Sequence, residues 1–206
     1  MSADLLTDPQ FLENLTLVSV DIETTGLGDS DAITELAAVK YQKGQVVETF
    51  SSLVNPGRQI PVFITRLTGI DNQLVADAPT LREVLPVFLE FCDFPRSVLL
   101  AHNARFDTRF LMNACAQLGL EWQFPASIDT VFFSRALLPR PQVQNHRLGT
   151  LAHHFGIKNP NAHRALADAY TCLELYKCLL DVLHAADGVE LPEAVFRTLT
   201  EADIND

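Results

Sequence analysis

The stretch LVSVDIE at residues 17–23 is β-branched and apolar and predicts a strand, which Thr24-Thr25-Gly26-Leu27-Gly28 then breaks. Residues 32–41 and 46–54 read as two further strands. Lys43-Gly44-Gln45 between them reads as a hairpin turn. By propensity alone ITELAAVKY also fits a helix, but the adjoining turn and the run VVETFSSLV favour a meander. The period then changes. In residues 79–92, Leu81, Val84, Leu85, Phe88, Leu89 and Cys92 recur at helical spacing, with Thr80 as a cap and Pro86 as a source of a kink. Residues 61–71 read as irregular or as a short helix. SVLLA (97–101) is a short buried strand. Asn103 caps a helix that stops at Gly119, and residues 128–130 form a short strand before a helix to Leu138. Helices follow over 148–155 and from Ala165 to about Leu183, the second with one broad apolar face.

Three meandering strands, then alternating helices and strands, then helices predict an α/β fold with a mixed five-stranded sheet flanked by helices. The expected organisation is a lead-in over 1–15, one domain over 16–185 and an acidic tail over 186–206. The tail's few apolar groups are Val189, Leu191, Val195, Phe196 and Leu199.

The chain has 206 residues, 48% hydrophobic and 20% charged, which is too apolar for a disordered chain. No stretch approaches the ~20 apolar residues of a membrane span. The N-terminus is acidic where a signal peptide would be basic, so the expectation is a cytoplasmic protein with no membrane partner. Four cysteines without a CxxC pair read as reduced core thiols.

A net charge of −11 taken alone argues against a nucleic-acid partner, but the charge is unevenly spread. Residues 1–31 carry seven acids and no base, whereas residues 96–164 carry eight bases against three acids. That asymmetry permits a phosphate-bearing partner on one face.

Asp21 and Glu23 are two apart on the first strand and therefore share a face. Two carboxylates this close repel in a dry site. A shared proton or a divalent cation with hard oxygen ligands offsets that, and solvated turn charges are the plain alternative. Asp107 falls in the first turn of its helix, where an acid also complements the helix dipole. His163 and Asp168 are five residues apart and cannot share one helical face. If both serve one site, His163 comes from the loop and Asp168 from the helix. A loop histidine beside a metal suits proton transfer near neutral pH, and a capping or surface role fits it equally. His102 likewise reads either as a site residue or as a packing residue at a strand end.

Taken together, VDIETTGL, HNARFD and HRALAD resemble the DEDD exonuclease superfamily, in the branch with a histidine in the third motif. The resemblance covers about residues 16–185 and includes LTGI (67–70), IDT (128–130) and NHRLGTLAHHFGI (145–157). It is nearest to the proofreading exonucleases of bacterial DNA polymerase III, both the epsilon subunit and the domain embedded in the Gram-positive alpha chain. The resemblance implies a ribonuclease H-like fold and metal-dependent hydrolysis from the 3′ end of single-stranded or mismatched DNA, releasing nucleoside monophosphates. It implies that Asp21, Glu23, Asp107 and Asp168 hold two Mg²⁺ or Mn²⁺ ions, with His163 as proton acceptor. It also implies substrate contacts by the backbone amides of Thr24 and Thr25, by Gly26 and Leu27, and by Thr68, His102, Asn103 and Phe106. Arg105, Arg109, Arg147 and Arg164 are candidates for the phosphate backbone, and a DNA polymerase subunit is the implied protein partner. Trimming of RNA, a non-catalytic nucleic-acid or polymerase-binding module, and an internally cutting integrase-like nuclease are the other readings.

Overall fold

The structure is a computed structural model that describes residues 3–186 and 188–198. After a 3₁₀ turn (Ala3–Thr7) and α1 (Pro9–Asn14) come β1 (Thr16–Thr24), β2 (Ile33–Gln42) and β3 (Gln45–Leu53), joined as the predicted antiparallel meander. Then follow α2 (Val62–Thr68), α3 (Leu81–Cys92), β4 (Val98–Ala101), α4 (Ala104–Leu118), β5 (Ala126–Asp129), α5 (Thr130–Leu137), α6 (Leu148–Phe155), α7 (Ala165–Ala185) and β6 (Phe196–Thr198). The spatial order is β3-β2-β1-β4-β5-β6, with β1, β4 and β5 parallel and β2, β3 and β6 completing a mixed sheet.

Among the described residues the sheet therefore has six strands, not the five expected. The sixth comes from the segment read as an acidic tail. Ile128 pairs with Phe196 and Ala126 with Thr198. Val195 and Phe196 are fully buried, and the Phe196 ring lies 5.9 Å from that of Phe11. A three-residue strand among acids offers too short an alternation to read, and its burial is set by α1 and β5, which are remote in sequence. The lead-in also packs on this side, with Leu6 fully buried in the same apolar cluster. Residues 199–206 of the expected tail lie outside the described residues.

Helix α3 runs unbroken through Pro86. Its start is held by Glu83, whose carboxylate accepts from both the N–H and the hydroxyl of Thr80. Of the two readings of 61–71, the short helix is the one formed, and Gly69 closes it with φ 74°, a left-handed turn that glycine adopts without strain. All four cysteines are free, three of them buried.

The alternation along β1 divides the molecule. Val18, Val20 and Ile22 face the apolar cluster built with α3 and α4. Leu17, Ser19, Asp21 and Glu23 face the side covered by α7, where the Ser19 hydroxyl donates to the carbonyl of Ala169 (2.8 Å) and ties strand to helix.

Candidate active site

The C-terminal half of β1 carries Asp21 and Glu23 toward the first turn of α7, which carries Asp168. These three carboxylates each place an oxygen within 4.8 Å of the others. Asp107, in the first turn of α4, is buried and lines the same cavity but stands outside that closest trio. The cavity has a volume of about 340 Å³. Its walls include all four acids and His163, together with Thr24, Leu27, Thr68, His102 and Phe106 from the sequence-predicted set.

Electrostatics define this end of β1. Burial holds the Asp21 carboxyl well above the usual carboxylate range, and Asp107, Glu23, Asp168 and Glu35 add repulsion. Glu23 is pushed up to about 8, first by burial and then by Asp168, Glu35 and Asp107, with Arg164 opposing. Burial also raises Asp107, against which the backbone N–H groups of Asp107 and Ile22 pull. Hard oxygen donors packed this closely, with their charge uncompensated by cationic side chains of equal number, fit a divalent cation. Asn159 adds an acceptor: its side-chain nitrogen donates to Asp168 Oδ1 (2.6 Å), leaving its own buried oxygen without a protein partner.

His163 comes from the loop and Asp168 from the helix, the arrangement their spacing requires. The His163 ring is exposed, its φ is 65°, and its N–H donates to Asp168 Oδ2 (2.9 Å). One carboxylate thus holds both the turn bearing His163 and, through Asn159, the preceding loop. The start of α7 is fixed by a second acid. Buried Glu35 on β2 accepts two bonds from the Arg164 guanidinium (3.1 and 2.7 Å) and one from the Ala165 N–H (2.9 Å). Glu35 also stands opposite Glu23 in the β1–β2 register.

Several predicted contacts take other roles. The Thr25 N–H donates to the Ala32 carbonyl (2.8 Å), so it is committed within the protein, and neither Thr25 nor Gly26 lines the cavity. The absence of a side chain at Gly26 accommodates Asp31 instead, because a Cβ there would lie 2.5 Å from the Asp31 carboxylate. Asp31 organises the loop by accepting from the Thr25 hydroxyl (3.0 Å) and the Gly28 N–H (2.9 Å). Asn103 does not cap α4 through its side chain. Its φ is 79° and it lies off the cavity, while Asp129 accepts from the N–H groups of Asn103 and Ala104. His102 lines the cavity with both ring nitrogens engaged. Nε2 faces the His146 carbonyl (2.9 Å), which can only accept, so Nε2 carries the proton and Nδ1 accepts from the Thr130 hydroxyl (2.8 Å). Burial lowers its pKa to about 4 and keeps the ring neutral.

Arg164 and Arg109, two candidates for the phosphate backbone, are engaged within the protein. Arg164 pairs with Glu35, and Arg109 donates to the Leu27 carbonyl (2.7 Å) and pairs with Asp29 (3.0 Å). Arg147 is exposed and lines the cavity, and Arg105 is exposed. Sequence reasoning missed Glu35, Asn159, Asp31 and the capping role of Asp129. Only Asp129 carried a signal, within the IDT pattern.

The family model described as Exonuclease matches residues 18–176. The chain is 40% identical over 189 residues to the PolC-type DNA polymerase III of Caldanaerobacter subterraneus subsp. tengcongensis, covering 91% of this chain and 13% of that protein. It is 39% identical over 174 residues to the PolC-type DNA polymerase III of Bacillus subtilis, covering 82% of this chain and 12% of the relative. The chain thus spans about an eighth of the length of these relatives. Among solved structures, Exonuclease X in complex with 5′-overhanging duplex DNA matches with a TM-score of 0.63 and 28% identity, covering 87% of this chain and 97% of that one. Escherichia coli Exonuclease I in complex with a dT13 oligonucleotide matches in fold with a TM-score of 0.72 at 22% identity, covering 81% of this chain and 41% of that one. The family model over most of the chain and these relatives establish that the chain belongs to the exonuclease family.

Proposed function

We propose that the chain is a metal-dependent 3′–5′ exonuclease that removes nucleoside monophosphates from single-stranded or mismatched DNA ends. The observation that carries this reading is the convergence of Asp21, Glu23 and Asp168 within 4.8 Å of one another, in a cavity that Asp107 and His163 also line.

Asp21, Glu23, Asp107 and Asp168 would hold two Mg²⁺ or Mn²⁺ ions, which when bound supply charge neutralisation at the phosphoryl group and an acidified water. The carboxylates themselves gain from that occupancy, since it relieves the repulsion that raises Asp21 and Glu23. His163, exposed at the cavity wall, accepts the proton of the attacking water. Leu27, Phe106 and Thr68, which line the cavity, would contact the terminal nucleotide. Stacking of this kind tolerates any base, which suits an enzyme that removes whatever stands at the end.

The polymerase III relatives support a proofreading role in a replication assembly, in the cytoplasm, with a DNA polymerase as partner. Among the described residues no helix is long and apolar enough to cross a membrane.

The test is hydrolysis of 5′-end-labelled single-stranded DNA, mismatched duplex and RNA, with Mg²⁺ or Mn²⁺ and with chelator. A ladder shortening from the 3′ end on DNA, lost with chelator, is the expected result. Preference for RNA would reassign the substrate, and internal cutting of circular DNA would overturn the exonuclease reading.

A further inference from the structure

Helix α2 carries an apolar ridge that leaves the cavity and continues onto open surface. Ile64, Leu67 and Thr68 line the cavity, whereas Val62 and Phe63 do not, and these two are 67% and 65% exposed. Phe63 stands one helical turn before Leu67, on the same face, and Leu67 is itself 51% exposed. Leu27, 76% exposed, borders the cavity with Leu67. Four large apolar side chains this exposed and this close to a site mark a contact surface rather than scattered surface residues.

Two further observations select the occupant. A cavity of about 340 Å³ lies at the low end of ligand cavities (~300–1,000 Å³) and takes about one nucleotide, so the next bases of an entering strand must lie outside it. In a chain of net charge −11, α2 has no acidic residue, and its one charged side chain is Arg66, exposed in the last turn. An aromatic ring with a cation three residues on, on a helix that itself carries no acid, is the pairing that single-stranded nucleic acid uses, a stacking platform beside a phosphate contact.

We infer that Phe63 is a stacking platform for a base upstream of the 3′-terminal nucleotide, with Arg66 facing the intervening phosphate, so that α2 sets the grip on the strand rather than the chemistry. This rests on the exonuclease reading and deepens it by assigning a second subsite.

The experiment compares the unmodified chain with Phe63→Ala and Phe63→Trp. Binding of a labelled oligothymidylate of about twelve residues is followed by anisotropy, beside hydrolysis of the same strand and of the p-nitrophenyl ester of thymidine 5′-monophosphate, which has one nucleotide and no strand. Phe63→Ala is expected to raise Kd and KM for the oligonucleotide about tenfold, with kcat and ester hydrolysis unchanged, and Phe63→Trp to restore binding. An unchanged Kd in Phe63→Ala, an equal loss on the ester, or failure of Trp to restore binding would each overturn the inference. If the unmodified chain hydrolyses neither substrate while binding still depends on Phe63, the exonuclease reading falls and the subsite stands.

Discussion

The two faces of β1 follow opposite rules on one strand. Val18, Val20 and Ile22 lie in a continuous apolar cluster with α3 and α4, where each side chain adds to stability by leaving water. Asp21 and Glu23, interleaved with them, are held among like charges at the start of α7, where burial and repulsion both oppose the ionised state. The first face holds the fold. The second is a region of electrostatic cost, tolerable because the first face is so well packed, and one that a bound cation would relieve. The difference teaches that stability and activity are separable along a single strand at intervals of one residue.

The largest expected effect on that separation is at Asp21. Asp21→Asn removes a buried carboxylate that Asp107, Glu23, Asp168 and Glu35 all repel, and activity falls to background while the metal-free protein melts higher. Endpoint hydrolysis and calorimetric melting read the two directions, and a lower melting temperature without metal would break the comparison. His163→Ala comes next, with a rate loss of ~10²–10⁴-fold and metal affinity retained, because the ring touches no carboxylate. Wild-type rates at neutral pH would remove the proton-acceptor role. On the opposite face, Phe88→Ala empties a fully buried position and costs about 3–5 kcal/mol by denaturant titration, with activity per folded molecule retained. A smaller loss, about 1–3 kcal/mol, is expected for Glu35→Gln, which breaks the charged hydrogen bonds to Arg164; solvent at the half-exposed guanidinium limits the effect. The smallest is a pH effect. Glu23 has a folded pKa raised from the ordinary carboxylate value of 4.5 to about 8, so its folded state binds protons more tightly than the unfolded chain does. Its contribution is full below about pH 4.5 and is lost as pH rises toward 8. The metal-free protein therefore loses part of its stability across that window, and added Mn²⁺ restores it at the alkaline end. Melting curves at several pH values check this.

Much of the fold was legible because its elements are local. β-Branched runs and a hairpin turn mark β1–β3, helical spacing marks α3 and α7, and the left-handed stops at Gly119 and Gly156 need only their own sequence. The acids Asp21, Glu23, Asp107 and Asp168 were legible through their motifs. What was not legible depends on residues far apart in the chain. Glu35 meets Arg164 across 129 positions, and a glutamate within ITELAAV reads as one more polar position in a strand. Gly26 pointed to close approach of a ligand, but the space is filled by Asp31, whose partners become visible only once the loop closes. Asn103 looked like a helix cap by residue type. Asp129 reaches those N–H groups first, because β5 ends beside β4.

The central claim is that the acid face of β1 traps divalent cations. Calorimetric titration of Mn²⁺ into the metal-free protein near pH 7.5, repeated in buffers of different ionisation heat, tests it directly. Saturable binding of two ions is expected, with release of protons from the carboxyl cluster and loss of that binding in Asp21→Asn. Absence of binding, or binding unaltered by Asp21→Asn, would contradict it.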